Sequence, residues 1–382
     1  MTNLFSNCSL NMSDLPYLLE WVENFVPESF RIKGIEQGQS MGHLSLTPLN
    51  GDAGFRQYFR LNTEPPLIAV SAPSEYENTP AFINISLCFQ QAGISTPIIY
   101  AVDYQQGFLL LEDFGDQLLL PLLLSREPFS EQQSFDKADE LYRIVETELL
   151  KIQQIKPDMD IFPHYDQQRL LDEMNLFPQW FAEQLLGIEL QGSDGEILNK
   201  TFTLLAENAL EQPQVVVHRD FHARNLMLLP ENAIGVIDFQ DAVIGPFTYD
   251  MVSLFRDCYI RWPADYVAQR TIDYSKRAEA LGIIPKVDKE QVRRWFDLMG
   301  LQRHIKVLGI FARLWLRDGK ANYLNDLPLV MRYTLEQLAP YPDLKGFKDW
   351  LEQRVLPELP RQSWYQPWET AGDRAEIKNY KV

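Results

Sequence analysis

An α+β fold in two lobes is predicted by this sequence: a small N-terminal lobe on an antiparallel sheet, residues 1–113, and a larger, mainly helical C-terminal lobe, residues 114–382. Three observations lead there. Up to about residue 115, short alternating runs are punctuated by Gly and Pro. From about residue 130 the apolar residues recur at helical spacing. The helical part is interrupted around the strand-like "VVVHRDFHARNLMLL" of Val215–Leu229.

Taken in order, Leu15 to Phe25 reads as a helix, and "LSLTPLNGDAGFRQYFRLN" alternates on each side of a Gly-Asp-Ala-Gly turn, a hairpin signal. "PPLIAVSAP" is a short strand between prolines. "TPAFINISLCFQQAG" places Phe82, Ile85, Cys88 and Phe89 on one helical face and stops at Gly93, a C-terminal cap. "GFLLLEDFG" is a buried strand running into an acidic link. The clearest helices are "LDEMNLFPQWFAEQLL" and "QVRRWFDLMGLQRHIKVLGIFARLWLR". In the second, Leu298, Leu301, Ile305, Leu308, Ala312 and Trp315 form a stripe stepping by three and four, and Gly319 closes the helix.

With 46% hydrophobic and 12% aromatic residues the chain has the means to build a packed core. A formal net charge of −18 argues against general affinity for nucleic acid or an anionic membrane. Cys8, Cys88 and Cys258 are far apart and match no zinc-ligand spacing or disulfide framework. The N-terminus lacks the basic start and apolar stretch of a signal peptide. No apolar run approaches the ~18 residues of a membrane-spanning helix. The expectation is a soluble cytoplasmic protein with no nucleic-acid, membrane or obligate protein partner.

Val215–Val217, Leu226–Leu229 and Ile234–Ile237 read as three short strands, the last two joined by a turn at Pro230, Glu231 and Asn232. That arrangement is expected to bring Asp220, Asn225 and Asp238 to one point. Phosphoryl transfer from ATP needs such oxygen donors: one to orient and deprotonate an acceptor hydroxyl, others to hold Mg²⁺ against the phosphates. "HRDFHARN" matches the kinase H-R-D-x-x-x-x-N spacing residue for residue, and "IDFQ" supplies the later strand-end aspartate. Asp220 is therefore the expected base, and Asn225 and Asp238 the expected Mg²⁺ ligands.

The second histidine of "HRDFHARN" and the continuation "IDFQDAVIGPFTYD" resemble the aminoglycoside phosphotransferase and choline kinase-like group, which shares the protein-kinase-like two-lobed fold. More narrowly, "GDAGFRQYFRL", "APSEYENTPAFI", "GFLLLEDFGD", "LMGLQRHIKVLGIFARLWLRDGK" and "YLNDLP" are similar to the bacterial cell-wall amino-sugar kinases, which phosphorylate the anomeric hydroxyl of N-acetylmuramate and N-acetylglucosamine. The likeness runs from about Asn50 to about Pro340. It implies an ATP- and Mg²⁺-dependent small-molecule kinase acting on a sugar. It also implies that Asp250 buttresses the catalytic loop besides opening a helix.

Around that core the expected roles are as follows. Gly51, Asp52, Ala53 and Gly54 form a turn over the ATP phosphates. Glu112 and Asp113, in the link between lobes, hold adenine through backbone groups. His218 and Arg219 brace the loop, His222 hydrogen-bonds within it, and Asp241 joins the metal shell or orders the turn. Arg303, His304, Arg313 and Glu173 wall the acceptor pocket, arginine suiting the lactyl carboxylate of N-acetylmuramate. One departure stands out. Where protein kinases have V-A-I-K this chain has "IAVS", with Ser71 in the lysine's place and no lysine from Gly51 to Ala101. Arg60 or Arg56 is expected to supply the missing charge. The competing readings are a kinase for another small alcohol (aminoglycoside, choline or homoserine) and a nucleotide-binding pseudokinase.

Overall fold

The computed structural model of the protein describes residues 15–31, 43–49, 55–124 and 131–373. The turn Gly51–Gly54 and Cys8 lie outside them. In chain order the elements are α1 (Leu15–Phe25), β1 (Leu46–Pro48), β2 (Gln57–Leu61), β3 (Leu67–Ser71), α2 (Thr79–Gln91), β4 (Ile99–Asp103), β5 (Phe108–Glu112), α3 (Leu119–Leu124), α4 (Glu131–Gln154) and α5 (Gln167–Met174). There follow α6 (Asp194–Glu211), β6 (Gln214–Val217), β7 (Leu226–Leu228), β8 (Ile234–Val236), β9 (Val243–Pro246), α7 (Tyr249–Phe255), α8 (Ala264–Ala280), α9 (Lys289–Asp318), α10 (Leu327–Leu338) and α11 (Lys345–Trp350). The fold is α+β.

Chain contacts divide these elements into two units. The first runs to Leu118, a few residues past the expected lobe boundary, and also takes Leu226–Gln240; the second holds Leu119–Asn225 and Asp241–Val382.

In the first unit an antiparallel sheet has the order β1-β2-β3-β5-β4. Strand β3 is buried along its whole length, which is why "LIAVS" reads as an unbroken apolar run rather than an alternation. Each of its faces is covered. Leu18, Trp21 and Val22 of α1 pack on Phe59, Leu61, Leu67, Ala69, Phe108 and Leu110. The opposite face, with Tyr58, Val70, Leu109 and Leu111, meets Thr79 and Phe82 of α2. Helix α2 starts where the Asn78 side chain accepts a hydrogen bond from the Ala81 N–H and Pro80 occupies the first turn. Gly93 follows it with φ of +75°. Hairpin β7–β8 joins this unit through bridges from Ser95 to Gly235 and Leu118 to Met227.

In the second unit β6 pairs with β9, a strand that was not expected, in register Val217↔Val243 to Gln214↔Pro246. Strand β9, "VIGP", reads locally as a glycine-proline link, and its pairing is set by contacts distant in sequence. The expected helix over residues 171–186 is α5 followed by a π-helical stretch, Phe177–Leu185, with Pro178 in its first turn. Proline cannot donate the amide bond a regular α-turn needs there.

Helix α9 is the axis of this unit, packed by α5, α6, α7, α8, α10 and the π-helical stretch. Because neighbours surround it, burial runs almost unbroken from Leu298 to Gly309 instead of along one stripe. Trp315, expected in the stripe, is 36% exposed near the helix end. Asp288 caps its start through the Gln291 N–H, and Gly319 ends it in the left-handed region at φ of +70°.

Candidate active site

The loop after β6 is fixed chiefly by one aspartate. The backbone N–H groups of His218 and Arg219 donate to the two carboxylate oxygens of Asp250, at 2.6 and 3.0 Å. Asp250 is fully buried on the first turn of α7. Arg219 stands at φ of +77°, a conformation uncommon for a residue with a Cβ. Its carbonyl accepts from Arg303 Nη1 at 2.9 Å and Ser253 Oγ at 3.3 Å. Inside the loop the His222 N–H and Asn225 Nδ2 both donate to the Asp220 carbonyl, at 2.9 and 3.1 Å. The His222 ring lies edge-on to Tyr259 with its Nδ1 unpaired, and the residue's bond within the loop is made by its backbone N–H.

Asp220 emerges from this loop with its side chain 39% exposed. Arg303 Nη2 is 3.5 Å from its Oδ1. Behind Arg303 runs a chain of buried charge. Arg303 and Lys306 both donate to the Tyr249 hydroxyl, at 3.2 and 3.0 Å. Lys306 is 3.1 Å from Glu173, which also pairs with Arg219 and accepts from the Tyr165 hydroxyl. Tyr165 is held by its own N–H on the carbonyl of Ile244 in β9.

Burial alone would raise the Asp220 carboxyl, but Arg303, Lys306, His222 and Arg219 outweigh it and hold the group well below the usual carboxylate range. Asp250 goes the other way. Burial pushes it up to about 7, against the two backbone N–H bonds and Arg303, with Asp220 adding to the rise.

Glu173, its side chain 18% exposed, is thus the counter-ion to two cations, Lys306 and Arg219. Arg303 is in the loop's support as well as beside Asp220. Lys306, Tyr165 and Tyr249 were not singled out from sequence; only the spacing of Lys306, one turn after Arg303 on α9, was there to be read. His304 is 1% exposed, with one ring nitrogen against the Arg256 carbonyl and the other beside the Gln337 side-chain amide. Burial pulls it down to about 4, so it is uncharged at neutral pH and offers no cation to a carboxylate. Arg313 is ten residues beyond Arg303, about 15 Å along the helix axis. His304, enclosed in this way, does not wall an acceptor pocket as expected, and Arg313 remains a proposed contact.

In the first unit, Asp238 sits at φ of +62°, exposed, with Gln240 Nε2 donating to its Oδ1 at 2.8 Å. The next residue, Phe239, is buried and stacks on Phe82 of α2, ring centroids 4.8 Å apart. That stack anchors the left-handed turn which presents the aspartate. Arg60 is taken up by the link: it bonds Asp113 and lies 2.8 Å from Asp116. Asp113 also accepts the Gly115 N–H at 2.8 Å, and the Glu112 carboxylate accepts the Ile98 N–H at 3.1 Å. Both acidic side chains of the link are thus used internally. Asp220, Asn225, Asp241 and Asp250 belong to the second unit and Asp238 to the first.

Comparison with known proteins gives these features a setting. The model of the phosphotransferase enzyme family matches residues 45–283. An N-acetylmuramate/N-acetylglucosamine kinase of Pseudomonas aeruginosa is 38% identical over 325 residues, covering 85% of this chain and 92% of that protein. One of Pseudomonas putida is 40% identical over 301 residues, covering 78% and 85%. Among solved structures, Plasmodium vivax ethanolamine kinase superposes with a TM-score of 0.57 at 13% identity, over 90% of this chain and 93% of that one. The choline kinase LicA of Streptococcus pneumoniae does so with 0.54 at 15% identity, over 78% and 94%. The two structures establish the protein-kinase-like fold; the family model and the relatives establish membership. With a braced H-R-D loop, a strand-end aspartate and this kinship, the chain belongs to the phosphotransferase enzyme family and is a small-molecule kinase.

Proposed function

We propose that the protein transfers the γ-phosphoryl group of ATP to the anomeric (1-) hydroxyl of N-acetylmuramate or N-acetylglucosamine, in the re-use of cell-wall amino sugars. The observation that carries the reading is Asp220: a half-exposed carboxylate on a rigid loop, kept ionised by Arg303 and its neighbours. The names of relatives at 38% and 40% identity give the acceptor. A hemiacetal hydroxyl is more acidic than an ordinary alcohol, so even a carboxylate of low basicity suffices to orient it and accept its proton during transfer.

Asn225 and Asp238 are the proposed Mg²⁺ ligands. Both are hard oxygen donors, which suits Mg²⁺ rather than a softer metal. The bond from Asn225 Nδ2 to the Asp220 carbonyl fixes which end of that amide carries the oxygen. Bound there, Mg²⁺ would screen the charge of the nucleotide phosphates. The Gly51–Gly54 turn and the backbone at Glu112 and Asp113 remain the proposed nucleotide contacts.

The test is a panel of acceptors offered to the purified protein with ATP and Mg²⁺, with products read by phosphorus NMR. Phosphate on position 1 of N-acetylmuramate or N-acetylglucosamine is the expected result. Transfer only to an aminoglycoside or to choline would overturn the acceptor. ATP binding without transfer to any acceptor would overturn the enzymatic reading.

A further inference from the structure

Phosphates in a low-dielectric cleft need a fixed cation, and no lysine lies between Gly51 and Ala101. Ser71 does not mark the vacant place. Side chains alternate along β3, and Ser71 shares the face of Ala69, which packs toward α1. The face toward α2 carries two arginines. Arg60 is neutralised by Asp113 and Asp116. Arg56 is different. Its side chain is 6% exposed, its Nε is 3.1 Å from Glu77, and its guanidinium lies 4.8 Å from the Phe82 ring centroid. Its Nη1 is buried with no hydrogen-bond partner. A buried donor left unmet is costly, so its retention points to a partner that arrives from outside.

The position fits. Phe82 stacks on Phe239, the neighbour of Asp238, and the Tyr58 hydroxyl lies within electrostatic reach of both Arg56 and Asp238. One cation and one metal-ligand candidate thus flank the same tyrosine within the first unit. We propose that Arg56, oriented by Glu77, is the cation that neutralises the nucleotide phosphates of this kinase, a task for which the strand lysine is absent. This deepens the phosphotransferase reading and rests on it. Glu77 is a positioning residue: it holds Nε, the Tyr58 hydroxyl bonds the same guanidinium, and Nη1 is the donor left for an oxyanion.

The experiment compares ATP with adenosine, which lacks phosphates, by calorimetric titration of the full chain with Mg²⁺. Arg56→Met keeps the stem over Phe82 and removes the charge. It is expected to weaken ATP roughly 10- to 100-fold and leave adenosine unchanged. Glu77→Gln is expected to raise the KM for ATP several-fold with the adenosine affinity intact. Arg60→Ala, which loosens the link, shifts both ligands together. Equal weakening of ATP and adenosine in Arg56→Met, or no change in ATP, overturns the proposal. Should that variant not fold, the wild type decides. ATP, and not adenosine, is expected to move the Arg56 side-chain NMR signal, and equal shifts reject the assignment. These readouts are independent of the acceptor, so a failed sugar panel and a failed Arg56 test are told apart.

Discussion

Asp220 and Asp250 serve the same loop, and their surroundings drive them in opposite directions. Cations hold Asp220 ionised far into acid, so replacing it by Asn removes a proton acceptor without relieving a buried charge. Turnover in Asp220→Asn is expected to fall roughly 10²–10⁴-fold, with ATP affinity by titration unchanged; normal turnover would reject its proposed role as base. Asp250, at about 7 against an ordinary 3.8, binds its proton more tightly folded than unfolded. That contribution to stability is complete below pH ~4 and is lost as pH rises toward 7. Asp250→Asn carries no such titration. The melting temperature of the wild type relative to this variant is therefore expected to decline from pH 5 to pH 8, and a constant difference would refute the assignment. The candidate catalytic loop was legible because its information is local: eight residues at fixed spacing. Arg56 against Arg60, and the inward turn of His304, were not. Which face a side chain takes there depends on strand register and on helices far away in sequence.

At the level of elements, α1, β1, β2, β3, α2 and β5 of the first unit followed from periodicity and caps, which are written within a few residues, whereas β4 was not read. Strand β9 escaped because its pairing with β6 gives no local sign. Helix α9 was recognised as a helix but misjudged as one-faced; a helix enclosed on all sides needs no polar face, and its Arg303, His304 and Lys306 find partners inside. The enclosure is tight at Gly309. A Cβ there would lie 2.4 Å from the Leu176 carbonyl carbon and 2.6 Å from the Phe177 nitrogen. Gly309→Ala is expected to cost about 1–3 kcal/mol through overpacking, seen as a lower urea midpoint. At Gly346, on α11, an added Cβ meets nothing within 4 Å. Gly346→Ala should instead stabilise, by about 0.5–1 kcal/mol. Matching signs in the two variants would refute the close approach.

For the whole molecule, a net charge of −18 gave no hint that the candidate base is ringed by Arg303, Lys306 and Arg219. Composition constrains solubility and general affinity, while the site is a matter of placement. Equally hidden from composition was the interleaving of the two units. Because Leu226–Gln240 belongs to the first unit, a fragment ending at Leu118 is incomplete. It is expected to melt without a cooperative transition by circular dichroism, and joining residues 226–240 through a flexible linker should restore one. A sharp transition in the short fragment would contradict the division. The same interleaving sets a clock on the ribosome. The carbonyls of Ser95 and Gln117 receive their partners, the amides of Val236 and Leu228, only when a stretch made over a hundred residues later has emerged. At roughly 5–20 residues per second the nascent sheet waits on the order of ten seconds with that hairpin's place open, long enough for a chaperone to matter.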